Sequence, residues 1–164
     1  MSDVVKVGIT GHQGLTEHTE AMVRESISDY LEAKEGLIGI TSLAEGADQI
    51  FAEEVLRLGG ELEIVIPSEN YESSFQSPGA LANYKRVAAL AKRVIKLGFA
   101  NPSQEAYWEA GKKIADDADE LIAVWNGQQA VGLGGTGDVV SYAISAGKLI
   151  TRIWPEGASR KSDT

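Results

Sequence analysis

Short β-branched runs alternate with longer stretches of helical period along nearly the whole chain, and this alternation restricts the fold more than any other feature. Val4 to Thr10, Leu37 to Thr41, Glu61 to Ile66, Val94 to Leu97, Leu121 to Trp125 and Leu149 to Trp154 read as strands. Between them apolar residues recur at helical spacing, as in Met22, Val23, Ile27, Tyr30 and Leu31, or Ile50, Phe51, Val55, Leu56 and Leu58. Thr16 is placed to cap the first helix, Asn101-Pro102-Ser103 to start the helix that carries Tyr107 and Trp108, and Gly59-Gly60 and Gly147 to end others. Ser68 to Pro78 lacks periodicity and reads as a long, lid-like loop. Strands and helices in this order predict an α/β chain: one Rossmann-like, doubly wound domain, its mostly parallel sheet of about six strands covered by helices on both faces. The domain is expected to span residues 1–155, with 156–164 a polar, mobile tail.

In a sheet of this kind ligands bind outside the carboxyl ends of the strands, where the strand order reverses. Three distinctive loops directly follow predicted strands, so the fold would gather them there. The first is Gly11-His12-Gln13-Gly14, with a small residue for close approach and an imidazole that can donate or accept. The second is Ser42-Leu43-Ala44-Glu45-Gly46-Ala47-Asp48, which sets two carboxylates and a serine at a helix start, suited to ribose hydroxyls or to proton transfer. The third, Gly132-Leu133-Gly134-Gly135-Thr136-Gly137-Asp138, opens the last long helix. Its glycines turn backbone amides inward, the helix dipole adds positive potential, and Thr136 offers a hydroxyl, a set that fits phosphate.

Several function classes recede on composition. There is no cysteine, hence no disulfide, thiolate metal site or cysteine nucleophile, and a reducing compartment is expected. Two histidines in separate elements make no metal-ligand pair. The glycine-rich loop lacks a Walker lysine, and Gly11 to Gly14 does not carry the dinucleotide fingerprint. No basic leader or long apolar run is present, which predicts a cytoplasmic protein with no membrane partner. The formal charge of −9 predicts that nucleic acid is an unlikely partner. Lys85, Arg86, Lys92, Arg93 and Lys96 form a basic cluster, read here as an ion-paired surface.

With Gly11-His12, Ser42 to Asp48 and Gly134 to Val140 in place, the chain resembles the SLOG superfamily, whose branches include Smf/DprA-like and Lonely Guy proteins. The resemblance runs to about Trp154. It implies a nucleotide-binding Rossmann-like fold, with some branches sensing ADP-ribose-type molecules and the Lonely Guy branch hydrolysing nucleoside 5′-monophosphates. That hydrolytic motif, P-G-G-x-G-T-x-x-E, is met at Gly132, Gly135 and Thr136 but not at Val131 or Leu133. Val139 stands at the glutamate position, with Asp138 one residue and about 100° of helix away. Lys112 and Lys113 stand where the branch uses an arginine.

Two readings lead, and a third, a DNA-binding protein of the Smf/DprA type, is opposed by the acidic balance. The first is a module that binds or senses a small-molecule nucleotide or nucleotide derivative. Its phosphate would sit on Gly132, Gly134, Gly135, Thr136 and Gly137, its sugar near Ser42, Glu45, Gly46, Asp48 and Asp138, and Gly11, His12 and Gln13 would close the other wall. The second is an N-glycosidic hydrolase in which Asp138 or Glu45 stabilises a ribosyl cation. Neither requires a bound cofactor or metal, and a homo-oligomer is compatible with both.

Overall fold

A computed structural model describes residues 4–129 and 133–163. Gly132, the first residue of the third loop, and Val131 before it lie outside the described residues. Six strands, β1 (Val5–Gly11), β2 (Leu37–Thr41), β3 (Glu61–Ser68), β4 (Arg93–Phe99), β5 (Glu120–Val124) and β6 (Leu149–Ile153), form one sheet in the order β4-β3-β2-β1-β5-β6. Every neighbouring pair is parallel. The helices are α1 (Glu17–Glu32), α2 (Ala47–Arg57), α3 (Pro78–Ala88), α4 (Gln104–Asp117) and α5 (Thr136–Ser145).

The chain winds outward from β1 to the β4 edge, then crosses back through α4 to β5 on the other side of β1. Strand order therefore reverses between β1 and β5, and a crevice opens at their carboxyl ends. Two apolar layers hold the arrangement. Val7, Ile9, Leu62, Ile64 and Ile122 face Val23, Ile27, Phe51 and Val55 of α1 and α2. On the opposite face Ile40, Val65 and Leu121 meet Ala110, Ile114 and Ala118 of α4 and Val139 and Ala143 of α5. Alternate residues of each strand thus bury on opposite faces, as the two-residue period of a strand demands.

Local chemistry sets the helix starts. Thr16 caps α1 by accepting from the Thr19 amide, and Ser103 caps α4 by accepting from Ala106. Where the structure departs from expectation the cause is nonlocal. Strand β3 continues through Pro67 to Ser68, because the missing proline amide falls at a register shift against β4. Within the expected lid, Tyr71–Ser74 forms a 3-10 turn whose Tyr71 is buried against Phe75, Tyr84 and Tyr107.

The segment expected to be a mobile tail is instead docked against the start of α1. Thr16 donates its amide to Ser159 O (3.3 Å), Ser159 donates to Thr19 Oγ1 (2.8 Å), Lys161 donates to Gly14 O (2.7 Å), and Leu15 and Arg160 form an antiparallel bridge. Its polar composition concealed this, because the segment docks largely through its own backbone groups, which every residue type carries.

Candidate functional site

At the reversal point the three loops enclose a crevice of about 190 Å³. Thr10, Gly11 and Gln13 line it from the end of β1, and Ser42, Ala44 and Asp48 from the β2 loop. Tyr71 and Tyr107 close the side toward β3 and α4, and Gly134, Gly135 and Thr136 form the wall at the start of α5.

The glycine wall depends on a backbone that only glycine adopts without strain. Gly134 has φ 85°, and a Cβ there would lie 2.9 Å from Trp108 N and 3.0 Å from Gln104 O, so the loop sits directly on α4. Gly134 donates its amide to Asp138 Oδ2 (3.0 Å). Gly135 is the N-cap of α5 without a side-chain cap. The amides of Gly135, Thr136 and Gly137 find no acceptor among the described residues, as expected for the first turn of a helix. One loop amide is thus taken by the protein's own carboxylate, while those that follow it remain available beside a cavity.

The β2 loop is the most constrained part of the site. Leu43 is fully buried with φ 58°, a left-handed conformation that costs a branched side chain about 1–2 kcal/mol. It is held from both ends: its amide donates to Thr41 Oγ1 (3.0 Å), and its carbonyl accepts from Gln49 Nε2 (3.1 Å). Gly46 has φ 95°, and a Cβ there would fall 2.8 Å from His12 O, so the first two loops interlock at this glycine. Asp48 is 8% exposed and accepts from the Ala44 amide (3.2 Å), the Thr41 hydroxyl and the Ser42 amide. Burial outweighs these bonds and pushes its carboxyl from the ordinary 3.8 up to about 7. Burial, with the Asp48 charge adding to it, likewise raises the Tyr71 hydroxyl well above the ordinary value. Ser42 Oγ is buried at the crevice without a hydrogen-bond partner among the described residues. A buried hydroxyl left unsatisfied costs about 1–3 kcal/mol, which a ligand polar group placed against it would recover.

The structure divides the sequence-predicted residues. Gly11, Gln13, Ser42, Asp48, Gly134, Gly135 and Thr136 come together at the crevice, with Gly137 in the first turn behind them. His12 turns away. Its Nε2 accepts from the Asn126 amide (3.2 Å), its ring packs edge-on against Trp154 at 5.5 Å, and burial followed by the nearby Arg160 charge lowers its pKa. Asp138 is engaged by Gly134. Glu45 accepts from Ser77 Oγ (3.3 Å) and borders an outer groove instead of the crevice. The basic cluster is ion-paired in part, Lys85 with Glu72, Arg86 with Glu53 and Lys92 with Glu61. Tyr71 and Gln49 were not singled out from the sequence. Their roles come from contacts that no local pattern signals, although a lone tyrosine in a serine-rich loop is itself a hint.

No protein-family model and no curated protein matches the sequence. Solved structures match in fold. DNA processing protein A from Streptococcus pneumoniae superposes with a TM-score of 0.70 at 17% identity, over 94% of this chain and 52% of that one, so the chain spans about half the length of that protein. DNA processing protein A from Helicobacter pylori, described for its single-stranded DNA binding mode, gives 0.68 at 17% identity, over 97% and 70%. The molybdenum cofactor binding protein of the phototrophic bacterium Rippkaea orientalis gives 0.59 at 16% identity, over 92% and 76%. The chain shares the Rossmann-like α/β fold of these proteins, the fold implied by its loops.

One expectation is corrected by these similarities. The net charge predicts that nucleic acid is an unlikely partner, yet the fold is shared with a protein that binds single-stranded DNA. The physical reason is that net charge is a sum over the whole chain, whereas phosphate contact is decided by local donors. Among the described residues no helix is long and apolar enough to cross a membrane.

Proposed function

We propose that the crevice binds a phosphorylated nucleotide or nucleotide derivative, and that the protein acts as a binding or sensing module. The observation that carries this reading is the meeting, in one cavity, of the α5 first-turn amides with the unpartnered Ser42 hydroxyl. Phosphate sits on Gly135, Thr136 and Gly137, where amides and helix dipole favour an anion. The remainder of the ligand lies toward Ser42 and Asp48, with the Tyr71 and Tyr107 rings beside it. A protonated Asp48 donates one hydrogen bond and an ionised one only accepts, so this residue reads the donor pattern of the ligand.

Binding is favoured over N-glycosidic cleavage by the positions of the two candidate carboxylates. Asp138 is held by a loop amide and Glu45 faces the outer groove, which leaves neither free at the crevice.

Titration calorimetry with AMP tests the reading on the wild type and on Thr136→Glu. A glutamate at the first helical position favours the helix but puts negative charge where phosphate should sit. AMP affinity is expected to fall about tenfold or more in the variant, roughly the loss of one charge-assisted contact. Equal affinity in both proteins, or no binding by the wild type, defeats the proposal. A second reading, the binding of single-stranded DNA, is favoured by the fold shared with the Helicobacter pylori protein. It predicts retention of an oligonucleotide that weakens steeply with salt.

A further inference from the structure

Beyond the crevice a groove continues across the mouth of the β2 loop. A space of about 170 Å³ bordered by Gln13, Tyr71, Gln76 and Tyr107 leads from the crevice. It shares Gln13, Glu45 and Gln76 with a wider space of about 600 Å³ that is closed by the docked carboxyl-terminal segment. Arg160 stands on this outer wall.

Arg160 is held in place with no acceptor for its guanidinium among the described residues. The backbone on either side of it is fixed by the Ser159 and Lys161 hydrogen bonds to Thr19 and Gly14, and its own amide donates to Asp163 Oδ2 (2.8 Å). Among the described residues its buried Nε has no hydrogen-bond partner, and no carboxylate forms an ion pair with its guanidinium. Other cations near this end of the molecule are occupied: Arg24 by Glu53 and Glu54, while Lys161, which borders the same groove, acts on Glu20. A buried guanidinium donor left unpaired is costly, and an anion of planar or tetrahedral oxygens is its natural complement. Gln13, Gln76 and Glu45 supply donors and acceptors along the way, suited to hydroxyls and base edges and not to a second phosphate.

We infer that Arg160 forms a distal anion subsite, so that the preferred ligand carries two phosphates separated by a nucleoside, one on the α5 amides and one on Arg160. This rests on the crevice reading above for the first phosphate. The chemistry is that of a phosphodiester-linked nucleotide pair, met either in a free dinucleotide or at the end of a single strand.

Binding of AMP, ADP, the 5′-phosphorylated dinucleotide pApA and a 5′-phosphorylated oligodeoxyadenylate is measured by calorimetry on the wild type, Arg160→Gln and Thr136→Glu. The dinucleotide is expected to bind about tenfold more tightly than AMP or ADP, a gain that Arg160→Gln abolishes while AMP affinity stays within about twofold. An oligonucleotide that outbinds pApA identifies a strand end as the source, and one that does not identifies the free dinucleotide. Ser159→Pro removes the amide that docks the segment on Thr19 and is expected to remove the same gain, with thermal melting used to verify folding of each variant. Equal binding of pApA and AMP by the wild type overturns the inference, as does an Arg160→Gln loss of equal size for both. Dinucleotide binding that survives Thr136→Glu but fails in Arg160→Gln keeps the distal subsite and defeats the crevice reading. No binding by any probe defeats both.

Discussion

Replacing Asp48 by asparagine should remove a pH dependence of stability that the fold itself creates. The carboxyl is buried beneath the crevice and its pKa is raised from 3.8 to about 7. Between those values the folded protein holds a proton that the unfolded chain has released, so stability is fully present below the unfolded value and is lost as pH rises toward 7. Each pH unit is worth about 1.4 kcal/mol, which gives at most about 4 kcal/mol over the whole window and about 3 kcal/mol between pH 5 and pH 7. Asparagine keeps an acceptor for the Ala44 amide and carries no charge to bury. Urea unfolding of both proteins between about pH 5 and pH 8 checks this, because the other titrating groups are common to the pair and cancel. The wild type should lose about 2–3 kcal/mol relative to Asp48→Asn across that range and show no further difference above it. Parallel stability curves would mean that the carboxylate is charged at pH 5 in the folded state, and the burial argument would fail.

Three further outcomes follow from the loops. Gly46→Ala should destabilise by about 2–4 kcal/mol in urea melts, since φ 95° excludes a side chain and the new Cβ meets His12 O at 2.8 Å. Gly14→Ala is its control, with φ 65° and open space around the Cβ, and should cost only about 1–2 kcal/mol. Asp138→Ala should release the Gly134 amide and cost about 1 kcal/mol, with AMP affinity falling as the loop loosens and rebounding in part in Asp138→Asn. His12→Phe should leave AMP affinity unchanged within about twofold while lowering thermal stability, because the imidazole accepts from Asn126 and packs on Trp154 away from the crevice.

The alternation of strands and helices, the cap at Thr16, the helix start at Asn101 to Ser103 and the convergence of three loops were all legible in the sequence. Each is written in short-range signals: β-branched runs, helical spacing, and a hydroxyl three residues ahead of an orphan amide. The composition of the crevice was legible at Ser42, Asp48 and the Gly134 to Thr136 turn, because residue types that suit anions and hydroxyls stand immediately after strands. Which side of each loop faces the cavity was not legible. His12 and Gln13 are neighbours of similar promise, yet only Gln13 lines the crevice, since the interlock at Gly46 and the contact with Trp154 decide the turn's orientation.

By itself, then, the order of residues determined that the backbone must wind as alternating strands and helices and that its glycine-rich turns must gather at one edge of a parallel sheet. Only the packed molecule decided that Tyr71 would fold under the crevice and that the polar carboxyl-terminal segment would carry Arg160 to the groove. The reason is range. A strand or a cap is set by neighbours a few residues away, whereas a tyrosine folded under the crevice or a docked segment is set by groups far off in the sequence, and no local pattern encodes their meeting.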